Sequence, residues 1–146
     1  MNIKVKKINE EAKIPTRGSD YSAGYDLYAC VSDEFIDIEP YTTEKISTGL
    51  SMELPIRHFG AIFARSGLAT NKGLRPSNCV GVCDEDYRGE YVVALHNDGN
   101  LCQRIYNGDR IAQLILLPYQ SLEFEEVTEL SDTYRGSGGF GSSGVK

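Results

Sequence analysis

Gly81–Glu90, GVCDEDYRGE, lies near the middle of the chain. It begins within one short apolar run, Cys79–Cys83, and a second such run, Tyr91–Leu95, follows it directly. Two such runs around a polar turn are typical of a β-hairpin, which we predict here. Runs of similar length recur along the whole chain, with glycine, proline or asparagine turns between them. The sequence therefore predicts an all-β fold, either a sandwich or a barrel.

The pattern of short alternating or apolar segments predicts strands outside the hairpin as well. The most apolar of them, IAQLILLP, is suited to burial on both faces, whereas SGLATNKGL is predicted as a brief helical turn or loop because Gly67 and Gly73 bracket it. At 146 residues the chain fits one domain, with a core at 1–130 and a Gly/Ser-rich arm at 131–146. The further predicted strands are 2–8, 25–29, 35–38, 45–50, 51–55, 59–64, 101–106, 111–118 and 122–127.

Composition excludes some classes of function. A net charge of −6 argues against non-specific nucleic-acid binding but allows a small phosphorylated ligand. No apolar run approaches the roughly 20 residues of a membrane span. The first residues, MNIKVKKINEE, lack the apolar centre of a signal peptide, so we expect a cytoplasmic protein. The four cysteines form no CxxC pair, which favours reduced thiols over a zinc site or disulfides.

The stretch 81–90 also concentrates reactive side chains. In an extended segment Asp84 and Asp86 would share one face and Tyr87 would turn to the other. A bend between Asp84 and Tyr87 would instead bring carboxylate and ring into one pocket. An acidic turn that only joins two strands is the structural alternative.

Two other clusters are candidates for binding an anion. Arg65, Ser66 and Gly67, in ARSGLA, follow a strand and offer a guanidinium, a hydroxyl and a free backbone N–H at the start of a short helix. The alternative is that Ser66 only caps that helix. In GDRIAQ, Gln113 needs a hydrogen-bond partner if it is buried, either in the core or on a ligand.

The strongest single signal is RGSGGFGSSG at 135–144. Its glycines allow positive φ angles that can point several N–H groups at one anion, and Phe140 could close over a planar base. A disordered tail is the alternative, and it is compatible with ordering over a ligand. In AGYDLYA, Asp26 is either a surface residue or could hold a magnesium-bound water beside a polyphosphate.

Five clusters, in chain order, resemble the five motifs of the homotrimeric dUTPases: AGYDLYA, ARSGLA, GVCDEDYRGE, GDRIAQ and RGSGGFGSSG. The resemblance implies a jelly-roll-like β subunit with at most one short helix, and a homotrimer with sites at its interfaces. The implied reaction is hydrolysis of dUTP to dUMP and pyrophosphate with Mg²⁺ on the triphosphate. It limits uracil incorporation into DNA and supplies dUMP for thymidylate synthesis. No nucleic-acid or membrane partner is implied.

The resemblance also implies roles for individual residues. Asp84 would deprotonate the water that attacks the α-phosphorus, which suits an ionised carboxylate within hydrogen-bond reach. Tyr87 would lie beneath the deoxyribose and leave no room for a 2′-hydroxyl. The uracil edge would be read by Asn78 and the hairpin backbone through Gly81 and Val82.

The remaining roles concern the triphosphate and the closing arm. Asp26 would hold Mg²⁺ through water, and the phosphates would be bound by Arg65, Ser66, Gly67 and Gln113. The arm of a neighbouring subunit would place Arg135 on the γ-phosphate and stack Phe140 on the base. Gly141 and Ser142 of the same arm would also contact the nucleotide.

The sequence departs from the family pattern at two positions. Cys83 stands where the family usually has Ile, which suggests a site sensitive to thiol reagents, and Ser143 stands where Thr is common. A dCTP deaminase of the same superfamily and a non-catalytic nucleotide-binding regulator are the competing interpretations. The complete DEDYRGE and RGSGGFGSSG motifs favour the hydrolase.

Overall fold

The structure is a computed structural model that describes residues 2–139, where twelve strands and one short helix occur. The all-β prediction with at most one short helix is confirmed. The elements are β1 (Lys4–Lys7), β2 (Thr16–Arg17), β3 (Tyr25–Tyr28), β4 (Phe35–Ile38), β5 (Thr43–Ser47), β6 (Leu50–Glu53), β7 (His58–Phe63), α1 (Ser66–Lys72), β8 (Leu74–Pro76), β9 (Gly81–Cys83), β10 (Val92–Asn97), β11 (Gln103–Tyr106) and β12 (Arg110–Pro118).

The strands form four antiparallel groups. The largest is a five-stranded sheet in the order β2-β3-β12-β7-β9, and a three-stranded sheet has the order β5-β10-β8. Two ribbons, β1-β6 and β11-β4, complete the fold. β12 lies between β3 and β7, and none of its residues from 111 to 117 is exposed, as expected for the most apolar run of the sequence.

The core is built from both sheets and both ribbons. Alternate residues of each strand point inward, so the apolar positions of the alternating segments meet in one cluster. Its fully buried members include Leu27, Ile38, Ile46, Leu50, Leu74, Leu95, Ile105 and Ile111. This cluster fixes the strands whose ends and connections carry the candidate site.

The predicted hairpin around 84–90 is wrong. β9 pairs with β7, with Gly60 opposite Cys83 and Ile62 opposite Gly81, whereas β10 pairs with β5 and β8. The chain therefore crosses between the two sheets through residues 77–80 and returns through 84–91. Alternation in a sequence determines which face of a strand is buried, but it does not determine the neighbouring strand.

Two other strand predictions need correction. The boundary expected at Leu50 lies at Thr48 and Gly49, because Gly49 has a φ of +66°, which is costly for residues with a Cβ. Residues 122–127 form no strand in the described part of the chain. Their alternation is that of a half-buried strand, but no segment within residues 2–139 pairs with them.

The helix α1 follows β7 directly. Arg65 is its N-cap residue and makes no capping hydrogen bond through its side chain, and Ser66 is the first helical residue. Ser66 is therefore not the helix cap that the structural alternative assumed. At seven residues α1 is short, and no helix within residues 2–139 is long and apolar enough to cross a membrane.

Candidate active site

A pocket of about 380 Å³ opens beside β9 and the 84–91 connection, and we call it the Asp84 pocket. It brings together Asn78 from the crossing at 77–80 with Asp84 and Tyr87 from the connection at 84–91, which β9 separates along the chain. Gly81 and Val82 provide backbone to its wall. The pocket is lined by Ile62, Asn78, Gly81, Val82, Cys83, Asp84, Tyr87, Glu90, Tyr91 and Val92.

A bend between Asp84 and Tyr87 makes this pocket possible. The Tyr87 N–H donates to the Asp84 carbonyl at 3.2 Å, and the Tyr87 hydroxyl donates to the Glu90 carbonyl at 3.0 Å. A Cβ at Gly89 would overlap the Tyr87 ring and hydroxyl, so glycine allows the ring to fold back over the connection. Of the two arrangements open from sequence, the bend is the one that forms.

Four further hydrogen bonds order the connection, and three of them attach it to the rest of the fold. Arg88 Nη1 donates to the Glu85 carbonyl at 2.7 Å, and Ser51 Oγ donates to the Arg88 carbonyl at 2.8 Å. Glu90 Oε1 accepts from the Gly49 N–H at 2.8 Å and from the Ser47 hydroxyl. The loop that carries Asp84 is therefore attached at its end to the turn between β5 and β6.

Asp84 also borders a second cavity of about 580 Å³, on the side that faces Phe59 and Tyr119. Glu85 lines the same cavity and accepts a hydrogen bond from the Arg57 N–H. A hydrogen bond to Glu85 raises the pKa of Tyr119, with a smaller contribution from burial. These contacts attach the segment before Tyr87 to the turn that precedes β7 and to the end of β12.

Cys83 and Tyr91 are neighbours in the lining of the Asp84 pocket. The Tyr91 side chain is buried, and its hydroxyl has no hydrogen-bond partner among the described residues. Burial, followed by the neighbouring Cys83 thiol, raises the pKa of Tyr91. Burial and then the Asp84 charge raise the pKa of Cys83 to about 11. The sulfur is therefore mostly a protonated thiol at neutral pH, and a thiol reacts far more slowly than a thiolate.

We expect alkylation of Cys83 to increase steeply with pH. With a pKa of about 11, its thiolate fraction should rise about tenfold per pH unit up to pH 10, whereas an ordinary thiol with a pKa near 8.5 levels off above pH 9. Iodoacetamide labelling followed by peptide mass spectrometry measures the rate, with N-acetylcysteine in the same tube as the reference. A plateau near pH 9 for Cys83 would contradict the raised pKa.

A separate, polar pocket of about 240 Å³ lies where β7, β3 and β12 meet, and we call it the Arg65 pocket. The five predicted residues on its wall come from three motifs, and the structure brings them together. Arg110 and two residues of the loop before β3 also line it, although the sequence analysis did not select them. The lining residues are Gly18, Ser22, Asp26, Arg65, Ser66, Gly67, Arg110 and Gln113.

Asp26 is the anionic centre of this pocket. Its Oδ1 accepts from Arg65 Nε at 2.8 Å and its Oδ2 from Arg110 Nη1 at 3.2 Å. Asp26 is buried, so the two guanidinium groups compensate the cost of enclosing its charge. Gln113 is half-buried, and its Nε2 donates to the Ala64 carbonyl at 2.8 Å. The core hydrogen bond predicted as one alternative for Gln113 therefore exists, on a residue that also lines the pocket.

Replacing Asp26 by Asn is expected to lower the free energy of unfolding by about 2 kcal/mol, because a buried partner of two charged groups is lost. Urea unfolding at one fixed protein concentration measures this. Asp37→Asn is the matched control, since Asp37 also binds an arginine, Arg104, but in a more exposed place. Asp37→Asn should lower the free energy of unfolding much less. Equal losses in the two variants would show that burial does not make the ion pairs of Asp26 more stabilising than the exposed pair of Asp37.

The two pockets have no lining residue in common. Cys83 lies opposite Gly60, and Arg65 follows Gly60 by five residues, which corresponds to about 16 Å of extended chain. Arg135 lines neither pocket, and its Nε donates to the Gly138 carbonyl at 2.8 Å. Phe140, Gly141, Ser142 and Ser143 lie outside the described residues. Within residues 2–139 no group of three acidic, histidine or cysteine side chains is arranged to hold a metal ion.

Comparisons with known proteins identify the family. The dUTPase family model matches residues 10–144. A deoxyuridine 5′-triphosphate nucleotidohydrolase of Desulfitobacterium hafniense is 46% identical over 99% of this chain and 98% of its own length. One from Nautilia profundicola is 44% identical over 99% of both. The dUTPase of Staphylococcus bacteriophage 80alpha, solved as a G164S mutant with dUpNHpp, has a TM-score of 0.88 at 27% identity over 99% of both chains. The resemblance read from the five motifs is therefore confirmed: the chain belongs to the dUTPase family and is an enzyme that hydrolyses dUTP.

Proposed function

We propose that the chain cleaves dUTP between the α- and β-phosphates, and that Asp84 activates the attacking water. The observation that carries this proposal is the Asp84 pocket, where a carboxylate, an amide and an aromatic ring of three different chain positions meet. Such a pocket can hold a nucleoside with its 5′ side directed toward the carboxylate. The activity itself is that of the family.

Asp84 is the general base of this proposal. Its side chain is exposed at the pocket rim, and its backbone is fixed by the Tyr87 N–H. An ionised carboxylate at that position can accept a proton from a water that it also orients. The contacts of Glu85, Arg88 and Glu90 keep the surrounding connection in place, so little rearrangement is needed when the nucleotide binds.

Recognition of the base and sugar would use the remaining groups of the Asp84 pocket. The Asn78 amide has both donors and an acceptor, which match the N3–H and a carbonyl of uracil. Backbone groups of Gly81 and Val82 lie in the same wall. The ring of Tyr87 would lie against the deoxyribose and exclude a 2′-hydroxyl, because its own hydroxyl is held by Glu90 and the ring cannot swing away freely.

The Arg65 pocket is the proposed phosphate site. Arg65 and Arg110 supply positive charge, and Ser66, Gly67 and Gln113 supply polar groups at its edge. Asp26 fits an outer-sphere role toward Mg²⁺, since each of its oxygens keeps a free acceptor direction and Mg²⁺ is commonly bound through waters and substrate phosphates. Bound Mg²⁺ would neutralise charge on the triphosphate. The side chains here would orient the phosphates for attack.

We propose that a complete site is shared between subunits of a homotrimer. One nucleotide must present its base to the Asp84 pocket and its phosphates to an Arg65 pocket, yet in a single chain the two pockets have no lining residue in common. Pairing the Asp84 pocket of one subunit with the Arg65 pocket of the next would bring the two sets of groups together. A head-to-tail contact of this kind closes into a ring with one site per interface.

The segment after β12 supports the same assembly. Leu122 and Phe124, which alternate with Glu123 and Glu125 as residues of a half-buried strand do, are 68% and 92% exposed, and Leu130 further along is 87% exposed. Apolar side chains in such a pattern need a surface that residues 2–139 do not provide, and a neighbouring subunit can provide it. In this proposal residues 1–130 form the core and 131–146 the arm, with Arg135, Phe140, Gly141 and Ser142 closing over a neighbour's site.

The test is pyrophosphate release with Mg²⁺ from dUTP, dCTP, dTTP and UTP in parallel. We expect release from dUTP at least about a hundredfold faster than from the other three, because the site reads both the base edge and the absent 2′-hydroxyl. Deamination of dCTP would place the chain in the deaminase group of the superfamily. Binding of dUTP without turnover would support a regulator and would remove the hydrolytic mechanism.

A further inference from the structure

We propose that Arg75 is a positioning residue for base selection. Arg75 lies on β8 immediately before residues 77–80, the inter-sheet crossing that carries Asn78. Its guanidinium joins this crossing to the end of β10, and the position of Asn78 depends on that link. The inference rests on the proposed function of the Asp84 pocket, and it adds a residue that lies outside the pocket's lining.

One side of the Arg75 guanidinium is fixed by Asp98. Nε donates to Oδ2 at 2.6 Å and Nη2 donates to Oδ1 at 3.0 Å, so the ion pair is bidentate. The Asp98 backbone is itself fixed, since its N–H donates to the Gly73 carbonyl at 2.9 Å. His96 Nε2 lies 3.5 Å from Asp98 Oδ1. The guanidinium is thus oriented from the turn that follows β10 and not from the crossing that it contacts.

The other side of the guanidinium contacts the crossing. Arg75 Nη1 lies 3.2 Å from the Pro76 carbonyl oxygen and 3.5 Å from the Ser77 carbonyl oxygen, to which it donates. It also lies 3.9 Å from Cys79 Sγ. These contacts flank Asn78 on both sides. A single nitrogen atom therefore contacts the backbone before the residue proposed to read the base and the side chain of the residue after it.

The crossing needs such a restraint because its backbone is strained. Cys79 has a φ of +63°, an uncommon conformation for a residue with a Cβ. At its start the crossing is joined to β10 by the Ser77 N–H, which donates to the Ala94 carbonyl at 2.8 Å. Its remaining backbone bonds are short-range: Cys79 N–H to the Pro76 carbonyl at 3.0 Å and Val80 N–H to the Asn78 carbonyl at 2.7 Å. The Arg75 side chain adds a link between Asp98 and Cys79, so removing it should release residues 78–80 locally without unfolding either sheet.

Lysine cannot replace this geometry. The guanidinium presents a planar fork that binds both Asp98 oxygens while Nη1 remains directed at the carbonyls, whereas an ammonium group is a single point charge. We therefore expect Arg75→Lys to resemble Arg75→Met more than the wild type. This pattern separates a positioning role from a general need for positive charge near the nucleotide.

The experiment compares Arg75→Met, Arg75→Lys and Asp98→Asn with the wild type. In Arg75→Met we expect KM for dUTP to rise roughly tenfold, kcat to stay within about twofold, and the preference for dUTP over dCTP in kcat/KM to fall roughly tenfold, since Asp84 is positioned by other contacts. Asp98→Asn should give a smaller change in the same direction. Hydrogen exchange measured on peptides that cover residues 74–83 should be faster in both variants.

Arg104→Met is the matched control. Arg104 makes an equally bidentate pair with Asp37 on the β11-β4 ribbon, away from both pockets. The Arg104→Met variant should leave the KM for dUTP, the preference for dUTP over dCTP and the hydrogen exchange of residues 74–83 unchanged. If a folded Arg75→Met enzyme still hydrolyses dUTP with unaltered base preference, the role of Arg75 is overturned and the proposed function stands. A wild-type enzyme that does not select dUTP would overturn the proposed function and the inference together.

Discussion

Asp84→Asn is expected to lower kcat for dUTP hydrolysis by about 10³- to 10⁴-fold while nucleotide binding is retained. The amide keeps the shape of the side chain but cannot accept the proton of the attacking water, and general bases contribute up to about this factor. Single-turnover release of pyrophosphate measures the chemical step, and binding of dUpNHpp measures affinity. The pocket should stay intact because its walls do not depend on the Asp84 carboxylate for their hydrogen bonds.

The matched control is Asp86→Asn. Asp86 lies two residues away and borders the larger neighbouring cavity, but it does not line the Asp84 pocket. We expect this variant to retain far more activity than Asp84→Asn. Substantial turnover by Asp84→Asn, or an equal loss in both variants, would remove Asp84 from the role of general base. As a second readout, loss of the Asp84 charge should lower the raised pKa of Cys83, although burial, its larger cause, remains.

Mixing two inactive variants is expected to restore activity if sites are shared. Arg65→Met removes a guanidinium from the proposed phosphate site, and Asp84→Asn removes the proposed general base. Each homotrimer should therefore be nearly inactive. In randomly mixed trimers a site is complete when Asp84 comes from one variant and Arg65 from the other. Every mixed trimer, whichever variant is in excess, has one complete site among its three, so purified mixed trimers should recover about a third of the wild-type rate.

The mixed trimers are made by joint unfolding and refolding of the two variants, with different affinity tags to purify them. The same variants refolded separately and then combined are the control, and they should remain inactive. No recovery in purified mixed trimers would place both pockets of a working site in one chain. A tailless variant mixed with Asp84→Asn tests the arm in the same way, since residues 131–146 are proposed to act on a neighbour.

The sequence by itself determined the fold class, the family and five of the eight residues that line the Arg65 pocket. Alternation of apolar and polar residues has a fixed meaning in a strand, so the buried faces could be predicted from local pattern. The five motifs identified the family because their chemistry is carried by short contiguous segments. Asp84 and Tyr87 are three residues apart, and a bend between them was one of two arrangements that the sequence allowed.

Only the tertiary structure decided which segments meet. Asp26 binds Arg65 and Arg110, which are 39 and 84 residues away along the chain, and nothing in AGYDLYA indicates those partners. β9 and β10 read as a hairpin but join different sheets. The Arg75 link to Asp98 spans 23 residues in the same way. The physical reason is that alternation specifies a face, whereas partners are selected by competition among all strands for backbone pairing and core volume.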